Sequence, residues 1–240
     1  MGIQLQRKKQ KHLLLSIFYR LSKIPWISNK FKLKLFLDLA WIFERLAHSS
    51  SVVYYKAINH PGRLGTWNFL SKFISEDYLV LDLGCSSGDL TNIISKKVKK
   101  IDGIDHDITS INHAKMKYAG GNISFIHDDA LQYLQNLSFK YDMIIMSHVL
   151  EHIDNPKNFI KGYTPFTSYF YIEVPDFEKT YHNIYRKDVG CKLIHTDDDH
   201  VAEFDREEME EIFNELNLSI IAQELRFGVM KFILKTNNEQ

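Results

Sequence analysis

Short apolar runs alternate with stretches of helical periodicity between residues 65 and 174. The apolar runs predict five strands, at Tyr78–Leu83, Lys100–Ile104, Ile123–Ile126, Tyr141–Met146 and Tyr169–Val174. The stretches between them predict helices at Leu90–Val98, Thr109–Tyr118, Leu131–Leu137 and Pro156–Lys161. Strands that alternate with helices are joined by right-handed crossovers into a buried parallel sheet. The pattern therefore predicts an α/β fold.

The C-terminal part departs from this alternation. Asp205 and Glu208 have the spacing of a capping box, which predicts a helix from Arg206 to about Leu216. Two strand patterns follow, at Leu218–Arg226 and Val229–Thr236, separated by two residues. Strands this close in sequence form an antiparallel hairpin. The predicted sheet therefore has seven strands, is mostly parallel, and ends in an antiparallel hairpin.

Residues 1–60 are predicted to form a basic helical extension. Positions 1–37 hold nine lysine and arginine residues and no acidic one, although the whole chain balances 30 basic against 30 acidic residues. Apolar side chains share one face of a helix over Leu13–Leu21, and Pro25 separates it from a helical pattern over Phe31–Ala47. Two interpretations stay open for this extension. It is a lid on the α/β domain, or residues 1–24 contact an anionic membrane surface.

The charge, the cysteine content and the apolar runs of the chain indicate which compartment and which partners to expect. The neutral net charge gives no reason to expect a nucleic-acid partner. Arg20 interrupts the first apolar run and no small-residue cleavage site follows it, so a secretory signal is not expected. No run approaches the ~20 apolar residues that a membrane span requires. Cys85 and Cys191 suggest no disulfide framework, which predicts a cytoplasmic protein, peripheral to the inner membrane face if the extension binds lipid.

The first predicted strand ends in the most informative motif of the chain, Asp82-x-Gly84-x-x-x-Gly88. A strand that passes through a glycine-bearing turn into a helix brings backbone N–H groups close to a ligand. A dinucleotide site would require Gly-x-Gly-x-x-Gly, whereas these two glycines lie four residues apart. The spacing therefore disfavours a dinucleotide.

The turn resembles motif I of the class I S-adenosylmethionine (SAM)-dependent methyltransferases, in which Asp-x-Gly-x-Gly-x-Gly is usual. Serine stands where the family most often has its middle glycine, and it is small enough to keep the backbone close. The resemblance covers residues 65–236 and implies a Rossmann-like fold, with SAM as cofactor and a methyltransferase domain over residues 61–240. It also implies that the turn holds the methionine end of SAM through Asp82, Gly84, Cys85, Ser86 and Gly88.

The end of the second strand supplies the residue implied for the ribose. Family members carry an acidic residue there that accepts both ribose hydroxyls, and Asp105 matches it. Asp107 is the local alternative and could instead cap the next helix. His106 would lie beside the adenine, unless it is simply a solvated loop histidine.

The end of the third strand reads Asp128-Asp129-Ala130, where the family usually has Gly-Asp-Ala. The resemblance aligns Asp129 with the carboxylate that accepts a hydrogen bond from the adenine amino group. Asp128 and Ala130 are its neighbours and complete the predicted cofactor contacts at this strand.

The segment after the fourth strand closely resembles that of the family, where Val-Leu-Glu-His follows the strand and a proline opens the next helix. Here the same letters occupy positions 149–152, and the proline is Pro156. Ser147 and His148 are therefore predicted at the carboxyl end of the strand, near the sulfonium of SAM. Glu151 and His152 are predicted to be structural, tying the loop together.

Methyl transfer to a hydroxyl requires a base that removes the proton, and a histidine suits this at neutral pH. His148 is the first candidate because of its predicted position, and His195 and His200 are the others. The latter two lie in residues 175–205, which lack strong periodicity and are predicted to form the acceptor pocket. Histidines and carboxylates are dense there, but no metal-ligand signature is matched and no metal is predicted.

The resemblance extends to a broad subgroup that includes bacterial sugar and quinone methyltransferases. A small-molecule O-methyltransferase is therefore predicted, with a saccharide or a cell-surface glycan precursor as the first acceptor class. A quinone-like or lipid-like acceptor at the membrane surface is the alternative, and a non-catalytic SAM-binding regulator is a third. A base-modifying enzyme is disfavoured because Ser147-His-Val-Leu replaces the Asn/Asp-Pro-Pro-Tyr/Phe segment usual there.

Overall fold

The computed structural model describes residues 12–237 of the chain. Between residue 12 and the sheet lie three helices, α1 (Leu13–Ser22), α2 (Asn29–Asn59) and α3 (Pro61–Leu70). Helix α2 is interrupted at Lys56, whose φ of 55° is not helical. Helix α3 begins directly after His60, with Pro61 in the first turn where its missing N–H costs nothing. The part of the basic extension that precedes residue 12 lies outside the described residues.

Seven strands and five helices form the α/β body. The strands are β1 (Leu79–Leu83), β2 (Lys100–Asp105), β3 (Ile123–His127), β4 (Tyr141–Ser147), β5 (Thr167–Pro175), β6 (Leu218–Arg226) and β7 (Val229–Thr236). The helices between them are α4 (Asp89–Ile94), α5 (Ile108–Tyr118), α6 (Ala130–Gln135), α7 (Pro156–Tyr163) and, before the hairpin, α9 (Arg206–Glu215). The order in the sheet is β3-β2-β1-β4-β5-β7-β6, with only β7 antiparallel to its neighbours. The predicted Rossmann-like sheet with its C-terminal hairpin is confirmed.

The parallel strands β1, β2, β4 and β5 are mostly buried on both faces, as a sheet covered by helices requires, whereas the edge strand β3 is only partly buried. On one face Leu81, Ile144 and Ile172 pack with residues of α7 and α9. On the other face Val80 and Met143 pack with Leu70 of α3 and with α4. The strand residues are therefore apolar on both sides, which explains why the sequence shows continuous apolar runs rather than alternation.

The predicted C-terminal elements are also present. The Asp205 carboxylate accepts a hydrogen bond from the Glu208 N–H at 2.8 Å and caps α9. Asn217, with a φ of 54°, takes the left-handed conformation after the helix. The hairpin turns through Phe227 and Gly228, which both have positive φ, as a two-residue turn between twisted strands demands.

A helix lies in the segment for which no periodicity was predicted. Helix α8 (Tyr181–Val189) lies within residues 175–205 and buries Asn183 and Arg186 rather than apolar side chains. Asn183 donates to the Phe177 carbonyl at 2.7 Å, and Arg186 donates to Asn183 at 2.7 Å. The sequence lacks strong apolar periodicity here because polar side chains fill the buried face of this helix.

Helix α2 contacts the predicted acceptor segment, whereas α1 buries none of its side chains. The Trp41 indole N–H donates to the His195 carbonyl at 2.7 Å. Arg45 forms ion pairs with Asp197 at 2.5 Å and Asp198 at 3.1 Å. Across residues 12–237, no helix combines the length and the apolar character that crossing a bilayer would need.

Candidate functional site

The turn after β1 adopts a conformation that only small residues permit. Gly84 and Gly88 have φ values of 74° and 75°, in the left-handed region. A β-carbon at Gly84 would lie 2.8 Å from Cγ2 of Val149, and one at Gly88 would lie 2.6 Å from two ring atoms of Phe125. Glycine is therefore required at both positions. Gly84 and Ser86 are exposed, so the backbone of the turn is open to a ligand at these two positions.

Ser86 also has a positive φ, 47°, at the position where the family usually has glycine. Its N–H donates to Oδ2 of Asp105 at 2.8 Å, so the turn after β1 is tied to the end of β2. The other oxygen of Asp105 accepts from the Asp107 N–H at 2.9 Å. Each carboxylate oxygen retains a further lone pair, which leaves Asp105 able to accept hydroxyl donors. Cys85 is buried beneath the turn.

Asp107 adopts the capping role that was the alternative for it. Its two oxygens accept from the N–H groups of Thr109 and Ser110, at 2.9 and 3.1 Å, and it caps α5. This leaves Asp105 as the acidic group that faces the turn. The neighbouring His106 has a side chain 97% exposed, and it lies beside Asp105 with its Nδ1 3.6 Å from Oδ1.

Asp82 lies beneath the turn rather than on its surface. Its side chain is buried and accepts a hydrogen bond from the Thr91 hydroxyl of α4 at 2.6 Å. Burial raises the pKa of Asp82 to about 6, although the Thr91 hydrogen bond and the positive charge of Arg63 oppose the rise. Asp82 thus connects the end of β1 to α4 and fixes the turn from below.

Arg63 was missed by the sequence analysis because α3 was not predicted. Its positive charge acts to lower the pKa values of Asp82, Asp89 and His148. Among residues 12–237, Arg63 has no ion pair within 4.0 Å. The proline that follows His60, in the first turn of a helix, was the signal that could have revealed α3.

The carboxylates at the end of β3 are exposed, and each accepts a hydrogen bond from a backbone N–H. Asp129 accepts from the Gln132 N–H at 2.8 Å and caps α6, which begins at Ala130. Asp128 accepts from the Asp129 N–H at 2.8 Å. Both side chains retain free lone pairs at the carboxyl edge of the sheet, next to β2.

His148 is held at the end of β4 between two buried carboxylates. Its φ of 56° turns the chain sharply after Ser147, and its N–H donates to the Glu173 carbonyl at 2.9 Å. Nδ1 lies 2.9 Å from Oε1 of Glu151, and Nε2 lies 3.8 Å from Oε1 of Glu173. Partial burial would lower the pKa of His148, but the hydrogen bond with Glu151 and the charge of Glu173 outweigh it and raise that pKa.

Glu173 collects further donors on β5. The Thr66 hydroxyl of α3 lies 2.7 Å from Oε2, and the Tyr171 hydroxyl lies 2.5 Å from the same oxygen. Ser147 donates to this oxygen at 3.3 Å. The glutamate is therefore fixed by α3, β4 and β5 together, and it presents a rigid acceptor beside the imidazole.

The other two histidines lie in the predicted acceptor segment, not at the end of a strand. His195 carries a buried Nδ1 without a hydrogen-bond partner, and its carbonyl accepts from Trp41. His200 places Nδ1 3.1 Å from both Glu203 and the Thr196 hydroxyl. The carbonyl of Glu151 accepts from the Val201 and Ala202 N–H groups. His200 is thereby brought against the segment after β4, whereas in the described chain no hydrogen bond or ion pair joins His195 to His148.

These groups fit a SAM molecule laid across the carboxyl ends of β1, β2 and β3. The left-handed glycines leave the backbone bare, Asp105 offers lone pairs for two hydroxyls, and Asp128 and Asp129 offer acceptors one strand further. β1 and β4 pair through Leu83 and Met146, so the turn and His148 lie at the same edge. Ligands of open α/β sheets bind at this switch point of strand order.

Known proteins resemble the chain in sequence and in fold. The family model described as Methyltransferase domain matches residues 63–223. Ribosomal protein L11 methyltransferase of Dictyoglomus turgidum is 33% identical over 97 residues, 40% of this chain and 32% of that protein. Ubiquinone biosynthesis O-methyltransferase of Serratia proteamaculans is 24% identical over 88 residues, 36% of each chain. The matched stretch thus spans about a third of these relatives.

A solved structure extends the likeness to most of the fold. Magnesium protoporphyrin IX methyltransferase from Synechocystis PCC 6803, with S-adenosylhomocysteine bound, superposes with a TM-score of 0.55. It is 16% identical and covers 94% of this chain and 95% of its own. The family match covers most of the α/β domain and includes the turn, Asp105, Asp129 and the segment after β4. The chain therefore belongs to the methyltransferase domain family of class I enzymes, whose cofactor is S-adenosylmethionine.

Proposed function

We propose that this protein transfers the methyl group of SAM to a hydroxyl of a small-molecule acceptor in the cytoplasm. The observation that carries the proposal is His148, an imidazole at the end of β4 that two buried carboxylates hold in place. Transfer to oxygen requires removal of a proton, whereas SAM itself supplies an activated methyl group on a sulfonium. A positioned imidazole is the side chain best suited to that removal at neutral pH.

Glu151 and Glu173 have separate tasks in this proposal. Glu151 accepts the Nδ1 hydrogen of His148, which leaves the lone pair of the neutral ring on Nε2. Glu173 lies 3.8 Å from Nε2, close enough to stabilise the ring after it takes the proton. Glu151 and Glu173 are positioning residues. His148 is the catalytic base, and general-base catalysis of this kind contributes roughly 10²–10⁴-fold in rate.

A saccharide or a cell-surface glycan precursor is the first acceptor class. The segment 175–205 combines acidic and imidazole side chains, which form hydrogen bonds with a polyhydroxylated acceptor. Tyr181 and Tyr185 are exposed and stacked, with ring centroids 6.3 Å apart and planes 17° apart. Flat aromatic surfaces with polar tips suit a sugar ring, which has an apolar face and a polar rim.

A quinone-like acceptor at the membrane surface is the second candidate. Helix α1 exposes Leu13, Leu14, Ile17 and Phe18. Lysine and arginine residues flank these side chains, as in helices that lie on anionic lipid. The similarity to a ubiquinone biosynthesis O-methyltransferase also favours this acceptor class. In this version the protein acts at the inner face of the membrane through residues 1–24.

Calorimetry with SAM, followed by an acceptor screen with labelled methyl groups, tests the proposal. Asp105→Asn should weaken SAM binding, because the amide offers the ribose hydroxyls one acceptor oxygen instead of two. His148→Gln should leave SAM affinity unchanged and lower kcat by roughly 10²-fold or more. The exposed His113 of α5 provides the control, because His113→Gln should change neither quantity.

Each negative result contradicts a different part of the proposal. No SAM binding by the unaltered protein contradicts the cofactor assignment. SAM binding without transfer to any saccharide or quinol favours the non-catalytic regulator. The acceptor classes are separated by liposome co-sedimentation. Full activity without vesicle binding after deletion of residues 1–24 counts against the membrane version.

A further inference from the structure

Three metal-ligating side chains converge next to the proposed base. A carboxylate oxygen of Glu151 and one ring nitrogen each of His152 and His200 all lie within 4.8 Å of one another. Glu151 is completely buried, and its Oε2 has no hydrogen-bond partner, whereas Oε1 binds His148. A buried carboxylate oxygen without a partner is energetically unfavourable, so a missing positive group at this position is the physical expectation.

Both histidines are oriented in the way that metal-binding histidines are. Nδ1 of His200 lies 3.1 Å from the Glu203 carboxylate, and Nδ1 of His152 lies 3.3 Å from the Asp199 carbonyl. A hydrogen on each Nδ1 satisfies these acceptors and leaves the lone pair on Nε2. Carboxylate or carbonyl partners of this kind fix the tautomer and the ring orientation of metal ligands. The rings contact edge to face, with centroids 5.0 Å apart.

A second set of groups near the same histidine is a weaker candidate. Asp197 and Asp199 also lie within 4.8 Å of His200. However, Arg45 already neutralises Asp197 at 2.5 Å, and Asp199 is exposed to solvent. The buried and unpartnered Glu151 oxygen therefore singles out the first set.

We propose that Glu151, His152 and His200 bind a divalent transition-metal ion. Two imidazoles and one carboxylate suit Zn²⁺, Mn²⁺, Fe²⁺ or Co²⁺, whereas Mg²⁺ and Ca²⁺ favour all-oxygen sites. Three ligands from the protein leave coordination positions open for an oxygen of another molecule. This inference deepens the proposed function, on which it rests for the identity of that molecule. Because Glu151 also contacts His148, the ion would hold the acceptor oxygen close to the proposed base.

Titration of the full-length, chelator-treated protein with Co²⁺ tests the site directly. Optical absorption and calorimetry should report about one ion per chain, and the absorption bands reveal nitrogen ligands. His152→Ala and His200→Ala should each weaken Co²⁺ binding by at least roughly 100-fold, because each removes one of three ligands. Glu203→Gln should weaken it by about 10–100-fold, as loss of the partner of a metal-bound histidine does. His113→Gln is the matched surface control and should bind Co²⁺ as the unaltered protein does.

Two results would overturn the site. One is the absence of Co²⁺, Mn²⁺ and Zn²⁺ binding by the unaltered protein at concentrations up to about 1 mM. The other is binding that survives the double replacement of both histidines in a protein that still binds SAM. SAM binding is measured on every variant, because it reports a folded domain independently of the metal. Undiminished methyl transfer without bound metal would refute the role of the ion in holding the acceptor, whereas metal binding without methyl transfer would count against the proposed function alone.

Discussion

Gly88 offers the sharpest test of how the cofactor turn is built. An alanine there has two penalties: a left-handed backbone that L-residues avoid, and a β-carbon 2.6 Å from two ring atoms of Phe125. The first costs about 1–2 kcal/mol and the second, as overpacking, roughly 1–3 kcal/mol. The β-carbon of Ala114 lies 3.1 Å away on α5, so the alanine cannot escape by turning toward that helix. We expect Gly88→Ala to lower the free energy of unfolding by about 2–5 kcal/mol.

Gly190 provides the matched control for this change. It ends α8 in the same left-handed region, with a φ of 70°, but a β-carbon there would meet no heavy atom within 4 Å. Gly190→Ala should therefore show the backbone penalty alone, about 1–2 kcal/mol. Urea unfolding followed by tryptophan fluorescence gives both values. The difference between the two variants measures the contact with Phe125.

A double-mutant cycle with Phe125→Leu isolates the contact further. Leucine removes the two ring atoms that the new β-carbon would strike, so the two changes should couple favourably by roughly 1–3 kcal/mol. SAM affinity should fall in Gly88→Ala and not in Gly190→Ala, because only the first displaces the turn. Equal destabilisation by the two alanines, within about 0.5 kcal/mol, would show that Phe125 does not confine the turn and would refute the reasoning.

Three further changes probe groups around the sheet. Asp82→Asn removes a carboxylate whose pKa is raised by burial from 3.8 to about 6. In the unaltered protein, folding stability falls as the pH rises through this range, because the buried Asp82 must ionise. The stability of the variant relative to the unaltered protein should rise by up to about 3 kcal/mol from pH 4 to pH 8 in urea titrations, and a pH-independent difference would contradict it. Tyr141→Phe removes the donor at 2.7 Å from buried Asp102, and thermal unfolding should report a loss of about 1.5–3 kcal/mol. Arg45→Met breaks the partly exposed ion pair with Asp197 and should change global stability by less than about 1 kcal/mol, whereas amide exchange of residues 195–200 should accelerate. Unchanged exchange there would mean that α2 does not hold the segment.

The predictable part of the fold is the part that apolar side chains determine. The parallel strands β1, β4 and β5 are buried on both faces, so each appears in the sequence as a largely apolar run. The cap at Asp205 was predictable because its oxygen satisfies an N–H only three residues away. In contrast, α8 buries Asn183 and Arg186, and no apolar stripe marks it. A helix whose buried face is polar cannot be found from the periodicity of apolar residues, because its polar side chains look like those of a solvent-exposed segment.

The candidate site likewise has a part that the sequence predicts and a part that it does not. The family motifs named Asp105 and His148, since both follow a recognisable strand. The carboxylates around His148 were less predictable, because burial decides their role. Glu151 was expected to tie the loop together. Its carboxylate contacts His148, and its backbone carbonyl accepts a hydrogen bond from the Val201 N–H. Its unpartnered Oε2 has no signal in the sequence. It becomes visible only when His200, 49 residues further along the chain, folds against it.

The two carboxylates beside His148 are better explained by function than by stability. Taking Glu151 and Glu173 out of water is costly, and a neutral pair of similar shape would be as stable or more stable. Both side chains are buried, whereas a carboxylate on the surface would not incur this desolvation penalty. The two carboxylates differ in how their second oxygen is satisfied. Oε2 of Glu173 accepts from the hydroxyl groups of Thr66, Tyr171 and Ser147, whereas Oε2 of Glu151 has no donor. A buried carboxylate oxygen that lacks a donor is suited to a cationic ligand, and this oxygen belongs to the same glutamate that contacts His148 through Oε1.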